Sequence, residues 1–60
     1  MQANELKKIR SQFNMTQVDM ARACGVSLPT YILWEKGVSN PNDENQVKLN
    51  DVIENLKKQN

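Results

Sequence analysis

Histidine is absent from these 60 residues, cysteine occurs once, and glycine and proline occur only twice each. Zinc sites draw on several His and Cys ligands, so no metal is expected here. Cys24 has no second cysteine with which to close an intramolecular disulfide. The serine, cysteine and lysine side chains lack any histidine base to activate them, so neither an enzyme nor a cofactor is expected. No apolar run approaches the roughly 20 residues of a membrane span, or a secretory h-region. A soluble, cytoplasmic chain with no membrane partner is the expectation. At this length there is room for one small apolar core and no catalytic cleft of normal size.

Charge is also scarce in net terms, +1 at pH 7. Its distribution is slightly uneven. Residues 1 to 40 carry Lys7, Lys8, Arg10, Arg22 and Lys36 against Glu5, Asp19 and Glu35, while residues 41 to 60 carry three lysines against four acids. Such a difference is common on solvated surfaces and points to no partner by itself.

What the chain does contain is punctuation for helices. Thr16 followed by Asp19 reads as a capping box, and Val18, Met20, Ala21 and Cys24 supply apolar spacing for about two turns. Gly25 then fits the left-handed position that stops a helix. Ser27 is a second N-cap, and Pro29 falls in the first turn of the next helix, where its missing N–H costs nothing. That helix runs through Trp34 to Lys36 and is closed by Gly37, with the lysine at the negative end of the helix dipole. Two short helices joined by a tight turn over residues 16 to 37 form a helix-turn-helix, whose second helix commonly enters a DNA groove.

The flanks add two helices. The first is expected to start after Asn4 as N-cap, with Leu6, Ile9 and Phe13 as a core stripe and Met15 just beyond its end. Asn40-Pro41 marks a loop, and Asn42 or Asp43 can cap a last helix over about residues 43 to 57. There, Leu49, Val52, Ile53 and Leu56 form one apolar face, and Lys57 to Asn60 form a polar, fraying end. The expected architecture is all-α, four helices in a single domain over residues 1 to 60.

In the second motif helix, about 100° per residue places Thr30, Tyr31, Trp34 and Glu35 on one side and Leu28, Pro29, Ile32, Leu33 and Lys36 on the other. The aromatic side is expected to pack onto the first helices. The other side is mostly aliphatic.

Together these residues resemble the Cro and repressor type (XRE-like) of helix-turn-helix regulators, common in phages and bacteria. The similarity rests on Thr16-Gln17, Ala21, Gly25-Val26-Ser27, Trp34-Glu35-Lys36-Gly37 and Asn40-Pro41, and extends from Leu6 to Ile53. It implies a compact, lambda-repressor-like fold and double-stranded DNA as partner. It also implies a transcriptional repressor that places residues 28 to 36 in the major groove. By this resemblance Gln17 and Asn40 would meet phosphates, with Arg10, Lys7 and Arg22 as further phosphate neighbours and Lys8 beside them. Ser27, Leu28, Pro29, Ile32, Leu33 and Lys36 would occupy the base-facing positions. Arg10 and Glu35 match a pair that often forms a salt bridge in the family, and this is the main role expected of Arg10.

One departure is clear: relatives typically carry glutamine, arginine, lysine or asparagine at the base-facing positions, and here they are largely leucine, proline and isoleucine. Such side chains can touch a thymine methyl but cannot pair hydrogen bonds with a base edge. An apolar surface of Leu28, Ile32 and Leu33 is also what a protein-binding face looks like, so an antirepressor, adaptor or antitoxin is the alternative to the DNA reading, which the intact phosphate-contact positions favour. The chain also shows no glycine turn followed by a fifth helix, which in longer relatives often helps make the dimer. A homodimer, pairing only on DNA, and single copies all remain open.

Overall fold

The computed structural model describes residues 3–58 and consists, over those residues, of four α-helices: α1 (Ala3–Gln12), α2 (Gln17–Cys24), α3 (Leu28–Lys36) and α4 (Asp43–Lys58). The start and stop signals of the motif operate as written. Thr16 Oγ1 accepts from Asp19 N at 3.1 Å while Asp19 Oδ2 accepts from Thr16 N at 3.0 Å, so two of the orphan donors at the start of α2 are satisfied. Backbone donation pulls the Asp19 carboxyl below its usual range. Gly25 ends α2 at φ 72°, and Gly37 ends α3 at φ 75°. A Cβ on Gly37 would meet nothing closer than Ala3 Cβ at 3.8 Å, so the positive φ, rather than crowding, calls for glycine there.

The helices enclose a core of Leu6, Met20, Ala21, Cys24, Tyr31, Trp34, Leu49 and Ile53. α2 and α3 pack most extensively on each other, α1 lies against α3, and α4 lies against α2. The Tyr31 and Trp34 rings meet edge to face, 6.1 Å between centroids and 68° between planes. On α4, Leu49 and Ile53 are buried and Val52 and Leu56 pack partly against the same cluster, while Asn42 caps the helix by accepting from Asn45 N at 2.8 Å.

Three local expectations change. α1 already includes Ala3, a strong helix former, so Asn4 lies inside the first turn and is not its cap. Phe13 stands outside the core: α1 ends at Gln12 and the chain reverses through Asn14, which takes a left-handed φ of 55°, leaving the ring half-exposed. Asparagine tolerates that conformation, and its position after Phe13 was the available signal. Val18 remains exposed because it lies more than a quarter-turn from the Met20, Ala21 and Cys24 face. The last helix extends through Lys58; the expectation for Gln59 and Asn60 lies outside the described residues.

Candidate nucleic-acid interface

The interface candidate is built on α3. Its inward face presents Tyr31, Trp34 and Glu35, all buried, which fixes the rotation of the helix about its own axis. The opposite stripe then follows from the 3.6-residue period: Pro29, Leu33 and Lys36, at i, i+4 and i+7, are exposed, with Ile32 half-buried beside them. Leu28 does not join that stripe. Although grouped with it in the sequence reading, Leu28 lies roughly 100° away from Pro29 and packs partly against the core.

At the start of α3, Ser27 Oγ accepts from Thr30 N at 3.4 Å and lies 2.9 Å from Thr30 Oγ1. Ser27 is exposed and Thr30 half-buried. The two hydroxyls thus share one hydrogen bond within the turn, which leaves one hydroxyl hydrogen of the pair unused; the spacing of Ser27 and Thr30 offers this pairing, which the sequence reading did not draw.

Glu35 is the hub that joins three helices. Its Oε2 accepts from Arg10 Nε at 2.7 Å, and its Oε1 accepts from Arg10 Nη2 at 3.3 Å and from Gln17 Nε2 at 3.2 Å. Arg10 Nη1 also donates to the carbonyl of Met15 at 3.1 Å, tying α1 to the loop before α2. The Glu35 side chain is 1% exposed and that of Arg10 is 22% exposed. Burial is the largest influence on the Glu35 carboxyl and pushes its pKa up. Hydrogen bonds from Arg10 and Gln17, the nearby Tyr31 hydroxyl and the guanidinium charge together outweigh it, and the pKa ends below the ordinary carboxylate value. The same pairing raises the Arg10 pKa.

The Tyr31 hydroxyl lies in this neighbourhood, fully buried, yet makes no hydrogen bond of acceptable geometry. Burial first, and the Glu35 carboxylate second, push its pKa well above the usual phenolic range. An unpaired buried hydroxyl costs free energy, so Tyr31→Phe should leave stability unchanged or raise it by up to about 1 kcal/mol. Urea unfolding measures this; a loss of more than about 1 kcal/mol would mean that the hydroxyl donates effectively to Glu35.

The remaining expected residues surround α3 with varying freedom. Gln17, half-buried at the first position of α2, spends one amide hydrogen on Glu35 and keeps the other, together with its backbone N–H at the helix start. The Gln17–Glu35 contact is a feature of this surface that the sequence reading missed, since 18 positions separate the two residues. Arg10 is turned inward onto Glu35 and Met15. Lys7, Lys8, Arg22, Lys36 and Asn40 are exposed, Asn40 lying in the connection between α3 and α4.

Comparison with known proteins gives this arrangement its relatives. A family model described as helix-turn-helix matches residues 6–55, which takes in most of α1, all of α2 and α3, and most of α4. An uncharacterized HTH-type transcriptional regulator of Archaeoglobus fulgidus is 44% identical over 36 residues, 60% of this chain and 51% of that protein. The chain therefore spans about half the length of the curated relative it matches. No solved structure gives a significant match. With four helices in this order, capped and closed at the motif's own residues, and a family match over most of its length, the chain belongs to the Cro/repressor-type helix-turn-helix family.

Proposed function

We propose that residues 1–60 act as one DNA-binding domain of a transcriptional regulator, which recognises a specific double-stranded sequence through α3 and represses by occupying a promoter. The observation that carries this reading is the rigidly oriented, solvent-facing stripe of Pro29, Leu33 and Lys36 on the second helix of the motif. The name of the archaeal relative supports the regulatory role. In this reading α3 of a phage-type or mobile-element regulator lies in the major groove, in the cytoplasm, and a twofold-related pair of enriched half-sites would mark pairing of two copies on DNA.

Phosphate contacts come from the free amide hydrogen and backbone N–H of Gln17, from Asn40, and from Lys7 and Arg22. Arg10 contributes by holding the angle of α3 through Glu35. The rival reading, a protein-docking surface of Leu28, Ile32 and Leu33, is weakened because Leu28 packs against the core and Ile32 is half-buried.

Selection from a random duplex library by the purified domain at about 150 mM salt tests the proposal. A short enriched site is expected, with affinity that falls steeply as salt rises. Leu33→Arg should change the enriched sequence toward guanine, the base that arginine reads with paired hydrogen bonds. A library that returns no site, or an unchanged site after Leu33→Arg, would remove α3 from the groove.

A further inference from the structure

The chemistry left exposed on α3 narrows what such a helix can read. Of the outward stripe, Pro29 and Leu33 offer only carbon, and Leu33 is 41% exposed because burial of Tyr31, Trp34 and Glu35 turns its side of α3 outward. The two hydroxyls at the helix start, Ser27 and Thr30, are 2.9 Å apart and share one hydrogen bond, which uses one of their two hydroxyl hydrogens, and both lie off the Pro29 and Leu33 stripe. Lys36 is the stripe's one charged donor, and it sits at the last position of α3.

A base edge offered to carbon alone gives up its hydrogen bonds to water without replacement, and the cost falls on every base feature but one. The exception is the thymine C5-methyl, the apolar group in the major groove. Four residues of helix separate Pro29 from Leu33 by about 6 Å along the axis, close to two base-pair steps at about 3.4 Å each.

From this geometry we propose that the domain recognises its site through thymine C5-methyl groups, two of them within two base-pair steps, one packed on Leu33 and the other on Pro29. The inference rests on the DNA-binding reading above and names the ligand chemistry of that same surface. Leu33 and Pro29 are its specificity-determining residues, while Lys36 adds charge at the edge of the contact.

The test uses the selected duplex with each thymine replaced in turn by deoxyuridine, which removes one methyl and leaves base-pairing edges and phosphate charge in place. Affinity should fall about fourfold at each of two positions no more than two steps apart, the loss corresponding to one methyl-sized group returned to water. Deoxyuridine elsewhere in the site should change little, which separates methyl contact from altered duplex stiffness. Leu33→Ala, a change at an exposed position that the fold tolerates, should abolish sensitivity at one of the two thymines and preserve it at the other. A site without thymine, equal affinity for the deoxyuridine duplexes, or undiminished sensitivity in Leu33→Ala would overturn the inference while leaving DNA binding intact. A library that enriches no site at all would overturn both.

Discussion

Replacing Glu35 with alanine is expected to remove most of the stability of the domain. The carboxylate is the shared acceptor for Arg10 and Gln17 and is almost completely buried, so its loss strands a guanidinium that has only 22% of its side-chain surface in contact with solvent. Breaking a buried ion pair from one side costs on the order of 3 kcal/mol. A domain of this size has roughly 3–5 kcal/mol in total. Urea or thermal unfolding followed by the emission of Trp34, the sole tryptophan and itself buried, should show the midpoint collapsing.

The double replacement Arg10→Met with Glu35→Leu is expected to recover much of that loss, because apolar groups of similar volume incur no charge desolvation. If the double variant were no better than Glu35→Ala, packing at position 35 would be the cause instead of the stranded charge. Function separates from stability in the same variant: with the pair gone, the polar tie among Glu35, Arg10 and Gln17 is lost and only apolar packing orients the C-terminal end of α3, so DNA affinity should stay low even where the fold has recovered.

The pair also sets the acid limb of the stability curve. Because the folded state holds the Glu35 pKa below its usual value, near 4.5, the stabilisation is fully present above that value and is lost as pH falls through the depressed one. Asp19, held down by the Thr16 backbone, contributes in the same direction. Glu35→Gln should therefore flatten the acid limb without abolishing it.

Leu49→Ala is the other change with a large expected effect. Leu49 is fully buried and anchors α4 in the shared core, with α4 lying against α2. Removal of a buried leucine costs about 2–5 kcal/mol, depending on how far the site can collapse. That again approaches the whole stability of a small domain, so the variant is expected to lose its cooperative transition near room temperature. Val47→Ala on the same helix, 60% exposed, should change stability by no more than about 0.5 kcal/mol. Equal effects at the two positions would mean that α4 does not dock through the Leu49 and Ile53 face.

Signals that act over three or four residues were legible in the sequence. The capping box at Thr16 and Asp19, the Ser27 cap, Pro29 in the first turn and the two glycines at positive φ are local stereochemistry, and each element of the motif starts and stops at them. The Leu49, Val52, Ile53 and Leu56 face follows in the same way from a helical period. Tertiary structure decided what depends on residues distant in the chain. The partial burial of Leu28 against the core, and the half-exposure of Phe13 beyond the end of α1, each depend on where another helix lies. The joint hold of Arg10 and Gln17 on Glu35 is the same kind of fact, because contacts spanning 18 and 25 positions leave no periodic trace. By itself the sequence determined that two capped helices meet at a turn, since turn chemistry is written in adjacent residues. Only the packed structure decided which carbon atoms of the second helix are left to face a groove, since that depends on how three other helices use the rest of its surface.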